Sequence, residues 1–505
     1  MILLLPISYL LISAVDAGEV AWRALFHART VRILGRTIWL AFWVTMSCAL
    51  VAVPLAWLTT RTDLPLRRMW AVLTPLPLVV PSYVGAYLIV TVLGPRGILQ
   101  QWLEPMGVQR LPDIYGFPGA LLVLTLLSYP YILLNTRAVL LRTDPDLEDA
   151  SHSLGYGPWA TFWRITLPQL RPALATGGLL VALYVLRDFG AVSLMRYSTF
   201  TRIIYIQYQS AYNHTAAAVL AIVLVAITLG LLLFEMWTRG RSRYYGSTVG
   251  TVRKPRIVQL GVWRWPALLF CAGVVTLALL LPAGVLVYWL IRGLSIGEHV
   301  SSLWIATKNS LMASGLAATV SLIAAVLVAV MSVRRPSRAS NFLERLTYSA
   351  FSLPGIVVAL ALVSFGANFA RPFYQTLTFL VIAYLILFLP TAVGPIRSSL
   401  LQLEPSMEEA ASTLGHRPFQ VLRTITLPLV RPGVAAGAGM VFLMTMKELP
   451  ATLILAPLGF KTLATAVWSS VEDAFFAEAA APALLIILVS SLPMAWFVLR
   501  EQTEL

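Results

Sequence analysis

Long apolar runs constrain this chain more than any other feature of its sequence. Stretches of about 18 to 25 apolar residues recur along it, near 37–59, 117–138 and 216–236 among others, and a helix needs ~20 such residues to cross a bilayer. The composition agrees, because 58% of the residues are hydrophobic and only 12% are charged, with a mean hydropathy of +0.80. Since helices satisfy all their backbone polar groups within lipid, we predict an all-α membrane protein.

We predict about twelve transmembrane helices in two halves of six. The predicted spans are 2–15, 37–59, 70–93, 117–138, 173–193, 216–236, 265–290, 309–332, 346–366, 376–396, 434–456 and 481–499. The first stretch lacks a basic segment and a cleavage site, which favours a retained span over a signal peptide, and its shortness leaves the true start of the chain open. We expect Pro77 and Pro354 to kink the third span of each half.

The connection between the two halves, residues 237–264, carries seven cations and no acid. Because basic residues collect on the cytoplasmic side, this linker is predicted to be cytoplasmic. The predicted division is therefore a first half at 1–236, the linker, and a second half at 265–505. The net charge of +15 arises largely in such connections, so no nucleic-acid partner is expected.

One polar segment occurs twice. Residues 145–172 (PDLEDASHSLGYGPWATFWRITLPQLRP) and 405–432 (PSMEEAASTLGHRPFQVLRTITLPLVRP) agree at 12 positions without a gap, at a constant offset of 260. The same offset relates Arg137 to Arg397, so the repeat extends beyond the segment. Because each half has an even number of spans, the halves enter the membrane in the same orientation, as parallel repeats around a central axis.

Each copy predicts a short helix of about ten residues, with a proline in its first position and a left-handed glycine after its end. In the first copy Asp144 can cap this helix, Gly155 ends it, and a second helix starts at Pro158 and breaks before Pro168. Leu147 and Leu154 share one face of the short helix. We interpret the two copies as docking sites for two identical partners, the alternative being an ordinary cytoplasmic loop needed only for topology.

The pattern Glu-Ala-Ala, three residues, Gly, nine residues and Ile-x-Leu-Pro resembles the EAA loop of binding-protein-dependent ABC importer permeases. The second copy matches it throughout, whereas the first has Asp149-Ala150-Ser151 in place of Glu-Ala-Ala. The resemblance implies the type I ABC importer permease fold, with loops that form coupling helices inserted into a cleft of each ATPase subunit. The residues expected to couple are Glu148, Asp149, Ala150, Leu154, Gly155, Pro168, Glu408, Glu409, Ala410, Ala411, Leu414, Gly415 and Pro428.

A single chain that fuses both halves resembles the ferric-iron type of these permeases, with thiamine permeases as relatives. Phrases such as LPLVVPSYVGAYL (76–88) support the resemblance. It implies a bacterial inner-membrane subunit that moves ferric iron by alternating access, with two copies of an ABC ATPase and a periplasmic binding protein as partners besides membrane lipid. No lysine follows a glycine, so the phosphate-binding pattern GxxxxGK[ST] is missing from the sequence. We therefore expect no catalytic residue, resident metal or bound cofactor, with ATP and Mg used by the partner subunits.

One acid lies deep in the fifth span of each half or near the outer end of that span. Asp188 and Glu448 occupy the same repeat position, and Tyr184 offers a further oxygen nearby. A hard trivalent cation prefers carboxylate oxygens, so all three are candidates to line the translocation path. The other interpretation is structural: each acid pairs with the adjacent Arg187 or Lys447, or with a partner across the two-fold axis, and only holds helices together. Two glycines at GxxxG spacing in the second half, 433 and 437, predict close helix packing.

Three functional alternatives remain open at this stage. The same importer class could carry thiamine or another small solute. A secondary transporter that needs no ATPase would share the six-plus-six layout, although the paired docking loops argue against it. An intramembrane enzyme would need clustered polar residues at depth, and the sequence offers no convincing cluster.

Overall fold

The all-α prediction is confirmed by the computed structural model of the chain. The residues it describes are 3, 5, 6, 8, 9, 12, 27–95, 97–142, 145–209, 214–239, 257–296, 301–350 and 353–503. Nearly all of them are helical, and the β-type pairing among the described residues is a single isolated bridge between Thr62 and Val258.

Eleven helices make up the described part of the first half. They are α1 Ala28–Arg61, α2 Arg67–Leu73, α3 Ser82–Leu93, α4 Ile98–Leu103, α5 Phe117–Arg142, α6 Pro145–Ser153, α7 Pro158–Thr161, α8 Leu167–Arg187, α9 Gly190–Leu194, α10 Phe200–Gln209 and α11 His214–Arg239. A π-helical turn, Phe162–Thr166, joins α7 to α8.

The described part of the second half follows the same order after two additional helices. Its helices are α12 Arg264–Val275, α13 Leu281–Ile296, α14 Ser301–Arg334, α15 Arg338–Ala350, α16 Gly355–Phe369, α17 Leu377–Leu401, α18 Pro405–Thr413, α19 Pro418–Val421, α20 Leu427–Leu429, α21 Arg431–Lys447, α22 Pro450–Leu455, α23 Leu463–Glu472 and α24 Phe476–Thr503. Further π-helical turns occur at Thr276–Leu280 and Leu422–Thr426.

By residue contacts the chain divides into two compact units. One consists mainly of Phe26–Ile203 and Ala226–Arg292, and the other mainly of Ile204–Val225 and Gly293–Ile486. Helices α12 and most of α13, although they follow the linker, group with the first-half helices, whereas the end of α10 and the start of α11 group with the second-half helices.

A packed trio of long helices forms the core of each unit. Helices α1, α5 and α8 contact one another in the first, and α14, α17 and α21 do so in the second. A Cβ at Gly177 would lie 2.8 Å from the Ile132 Cα, and one at Gly437 would lie 3.1 Å from the Ala392 Cα. Only glycine permits backbones to cross this closely, so the close packing expected of the second-half glycines is confirmed and has a first-half counterpart.

Ten of the predicted spans find support in the described helices. Eight helical segments are long and apolar enough to cross a membrane, and ten are when two bent pairs each count as one span. Of the remaining two predictions, 2–15 lies largely outside the described residues, and 481–499 falls within α24, whose apolar stretch is Phe476–Ser491.

The third span of each half is broken rather than kinked. Helices α15 and α16 meet at 109°, and Pro354 caps α16 in an extended conformation at φ −64°, ψ 142°. Pro81 caps α3 in the same way, at φ −63°, ψ 147°, whereas Pro77 lies in a separate 3-10 turn. The prediction was wrong about Pro77 because Pro81, which lies 273 residues before Pro354, is the proline at the equivalent helix start.

An arginine that recurs in both halves joins α5 or α17, one helix of each trio, to the helix that opens the third span, α2 or α15. Arg137 of α5 donates to the Ala71 carbonyl of α2 at 2.7 Å, and Arg397 of α17 pairs with the Glu344 carboxylate of α15 at 2.9 Å. The arginines are related by the offset of 260 and their partners by 273. Each tie fixes the end of the helix from which the polar repeat emerges.

Candidate functional site

The polar repeat forms the short capped helix that its sequence predicts. Helices α6 and α18, which we name the coupling helices after the role expected from the sequence, have nine residues each. Gly155 and Gly415 follow them with φ +85°, the left-handed conformation in which glycine is favoured. The next amide closes each end: Tyr156 N–H donates to the Ser151 carbonyl at 3.1 Å, and the second copy repeats this bond. Asp144, the predicted cap of α6, lies outside the described residues.

One face of each coupling helix is apolar and exposed. Leu154 is 77% exposed and Leu414 is 81% exposed. Leu147 and Met407 lie about two turns before them on the same face and are also exposed. The acids Asp149 and Glu409 and the alanines after them are exposed as well. Neighbouring exposed apolar side chains beside acids on a short rigid helix are typical of a protein interface.

The other acid of each loop faces inward. The Glu148 carboxylate accepts a hydrogen bond from the Thr166 hydroxyl at 3.0 Å and lies 3.7 Å from the Arg61 guanidinium. Glu148 is 18% exposed. It therefore braces α6 against the π-helical turn and against the end of α1.

The second loop repeats this brace with shorter distances. Glu408 accepts from Thr426 at 2.8 Å, and its other oxygen lies 2.8 Å from the Arg334 Nε. The sequence pattern places both glutamates among the docking residues but does not indicate the two arginines. Their offset is 273, so alignment at 260 does not bring them together.

The small residue at the third motif position is buried against the following helix. In the first copy Ser151 shares a 2.9 Å hydrogen bond with Thr161. In the second copy the equivalent residues are Ala411 and Val421, both buried and apolar. The departure from Glu-Ala-Ala at Ser151 is thus matched by a hydroxyl on the residue that faces it.

This pairing yields a prediction for the stability of the first loop. Thr161→Val leaves the buried Ser151 hydroxyl without its bond and is expected to cost about 1 kcal/mol. Ser151→Ala is expected to cost less, because Thr161 keeps a bond to the Gly157 carbonyl. The double variant recreates the second-copy pair and should recover most of the loss. Thermal unfolding of the purified chain measures all three, and a double variant less stable than either single one would contradict the pairing.

Pro168 does not break its helix as predicted. The helix widens before the proline, so that Leu167 N–H donates to the Phe162 carbonyl five residues back. The turn at Leu422–Thr426 does the same before Pro428. A proline lacks an N–H and crowds the carbonyl four residues earlier, and the π-helical turn relieves that crowding. In the second copy the chain bends by 78° only at the next junction, between α20 and α21.

The two deep acids cap short helices. Asp188 ends α8, and its Oδ1 accepts from the Ala191 and Val192 amides of α9 at 3.0 and 3.3 Å. Glu448 ends α21, and its Oε1 accepts from the Ala451 amide of α22 at 3.2 Å. These bonds satisfy amides that a helix start leaves without partners.

Different neighbours accommodate the two acids. The Ser82 hydroxyl lies beside the shorter Asp188, whereas the longer Glu448 carboxylate occupies the space that a Cβ at Gly355 would fill. Ser82 and Gly355 are related by the offset of 273. Tyr184, the third path candidate, lies one turn before Asp188, with its ring 5.7 Å from that of Tyr131.

Comparison with known proteins agrees with the duplicated architecture. The family described as "Binding-protein-dependent transport system inner membrane component" matches residues 24–238 and again 317–501. Each match contains one copy of the polar repeat.

Relatives match the chain over its whole length or over half of it. The Fe(3+)-transport system permease protein FbpB 2 of Haemophilus influenzae is 35% identical over 504 residues, 99% of this chain and 96% of the relative. The ferric transport system permease protein FbpB of Actinobacillus pleuropneumoniae is 24% identical over 94% of this chain and 72% of the relative. The sulfate transport system permease protein CysT of Escherichia coli is 27% identical over 50% of this chain and 91% of the relative. The chain therefore belongs to the binding-protein-dependent family of ABC importer permeases and is a multi-pass inner-membrane protein.

Proposed function

We propose that this chain is the membrane subunit of an ATP-driven importer of ferric iron. The observation that carries the proposal is the end-to-end match to a relative named for Fe(3+) transport, at 35% identity over 99% of this chain. A periplasmic binding protein delivers the ion, and alternating access moves it to the cytoplasm.

Two ABC ATPase subunits drive the cycle, one on each coupling helix. The exposed face of each helix enters a cleft in its ATPase, and closure of the ATPases on ATP draws the helices together and opens the path outward. ATP and Mg are bound by those subunits, and this chain holds no cofactor of its own. The proposed contact residues are Asp149, Ala150, Leu154, Glu409, Ala410 and Leu414, with Gly155 and Gly415 setting the helix ends.

The deep acids shape the path by holding its helix breaks. Asp188 and Glu448 each lie at a break between a long helix and the short helix after it. Their carboxylates stabilise the break by accepting hydrogen bonds from backbone amides of the short helix. Short helices at such breaks bound the translocation path in our proposal. Tyr184 contributes to the same wall.

Sulfate and thiamine are the competing cargoes. Sulfate permeases match half of this chain, and the sequence resembles thiamine permeases. The sulfate match is shorter and less identical than the full-length match to the iron relative, which favours ferric iron. The thiamine alternative rests on the sequence resemblance alone. A secondary transporter would have no use for two exposed coupling helices.

Uptake by proteoliposomes tests the cargo. The vesicles hold this chain, its ATPase and ATP inside, with the candidate binding protein and labelled ferric iron, thiamine or sulfate outside. We expect ferric iron to accumulate only when both ATP and the binding protein are present. ATP-dependent uptake of thiamine or sulfate but not iron would contradict the cargo, and iron uptake that needs no ATP would contradict the importer mechanism.

A further inference from the structure

Arg61 and Arg334 are the last residues of α1 and α14, two of the long core helices. The carbonyl groups at a helix C-terminus carry a partial negative charge, so each site favours a cation. Arg61 is only 2% exposed and Arg334 is 15% exposed. Each guanidinium therefore sits between the end of its own helix and the inward-facing glutamate of a coupling helix.

We propose that Arg61 and Arg334 transmit the movement of the coupling helices to α1 and α14. The proposal rests on the proposed function, since it assumes that ATPase subunits move those helices. It adds positioning residues outside the polar repeat that act through Glu148 and Glu408.

The contact recurs although the surrounding sequence differs. Arg61 is followed by Thr-Asp and Arg334 by Arg-Pro, and the two arginines are 273 residues apart whereas the glutamates are 260 apart. Two loops built from different local sequence thus arrive at the same arginine–glutamate–threonine arrangement. Recurrence in both copies favours a shared function over an accident of packing in one of them.

Each glutamate joins three segments of the chain. Its carboxylate forms an ion pair with the arginine at the end of one core helix, at 3.7 Å in the first copy and 2.8 Å in the second. It also accepts a hydrogen bond from the threonine hydroxyl in the π-helical turn that leads toward another core helix. A shift of the coupling helix therefore acts on two of the three core helices at once. Without the arginine, the carboxylate would still bond to the π-helical turn but would no longer pair with the end of α1 or α14.

The end of α1 has an anchor of its own that does not involve Glu148. The Val258 amide donates to the Arg61 carbonyl at 2.8 Å, and the Asp63 carboxylate accepts from the Leu260 amide at 2.9 Å. These bonds hold Val258 and Leu260 of the linker against the end of α1 and the residues just after it. Removing the Arg61 charge therefore leaves α1 in place and detaches the coupling helix from it, which separates transmission from folding.

Glutamine substitutions test the proposal in the complete complex. Arg61→Gln and Arg334→Gln, singly and together, are assembled with the ATPase and the binding protein in proteoliposomes. We expect ATPase binding to stay as in the wild type, because the exposed face of each coupling helix is unchanged. The increase in ATP hydrolysis caused by the loaded binding protein should fall about tenfold in the double variant, as expected when coupling between distant sites is lost.

Neighbouring exposed arginines supply matched controls. Arg68→Gln and Arg335→Gln each remove the same charge from an exposed position within seven residues of Arg61 or Arg334 and should leave stimulation unchanged. The exchange Arg334→Glu with Glu408→Arg should recover stimulation that either change alone removes. A double glutamine variant that is stimulated normally, or one that loses ATPase binding in proportion to stimulation, would overturn the proposal. Stimulation is measured with the binding protein loaded with whichever solute it carries, so failure of iron uptake alone would refute the cargo and not the arginine roles.

Discussion

Replacing Gly155 and Gly415 together with valine is expected to abolish ATP-coupled uptake. Both glycines have φ +85°, where an ordinary L-residue costs about 1–2 kcal/mol and a β-branched one more. A Cβ at either position meets nothing within 4 Å, so the effect comes from the backbone and not from a clash. Valine should redirect the chain after each coupling helix and tilt the helix away from its ATPase.

The measurement is uptake per ATP hydrolysed by the reconstituted complex. Gly157→Ala is the matched control, because a Cβ at Gly157 also meets open space while its backbone is not left-handed. That control should transport as the wild type does. Unchanged coupling in the double valine variant would show that the ends of these helices do not set their contact with the ATPase.

Aspartate in place of the exposed leucines is expected to remove the ATPase subunits. Burying a leucine in a partner contributes ~1.5–3 kcal/mol, which corresponds to a loss of at least about tenfold in affinity when it is removed. An aspartate adds the cost of burying a charge. Leu154→Asp should therefore release one ATPase subunit, Leu414→Asp the other, and the double variant both.

Co-purification of the ATPase with each variant measures this effect. Leu458→Asp is the control, since Leu458 is 88% exposed and the predicted span 434–456 separates it from the second coupling helix. It should retain both ATPase subunits. Retention of both subunits by the Leu154/Leu414 double variant would mean that the apolar faces are not the contact surface.

The coupling helices were predictable because their signals are local. Proline at the start, glycine at the end and two apolar residues seven apart define each helix within about ten residues, and α6 and α18 follow those signals. The exposure of Leu154 and Leu414 follows from the same pattern.

The brace was not predictable because it depends on long-range contacts. Arg61 and Glu148 are far apart in sequence, and the change of repeat offset from 260 to 273 hides the equivalence of Arg61 and Arg334. Recognising the offset of 273 would have paired Pro354 with Pro81 and not with Pro77. The prediction of a helix break before Pro168 failed for a different reason. The sequence shows where a proline removes a backbone hydrogen bond, but it does not show that a π-helical turn will let the helix continue.

The capping of short helices by Asp188 and Glu448 also could not be predicted from the sequence and was seen only in the structure. Sequence places both acids at one repeat position and at membrane depth, which is compatible with ion binding and with a structural role. The bonds to the amides of α9 and α22 and the complementary pairs Asp188–Ser82 and Glu448–Gly355 depend on how the third and fifth spans pack together.

The number of ATPase subunits bound by one chain tests the central claim most directly. Native mass measurement of the purified complex in the presence of a non-hydrolysable ATP analogue gives this number. Two coupling helices of equivalent geometry predict one chain with two ATPase subunits. A complex that saturates at one ATPase subunit, or a chain that binds none, would contradict the assignment of both repeated loops as coupling sites.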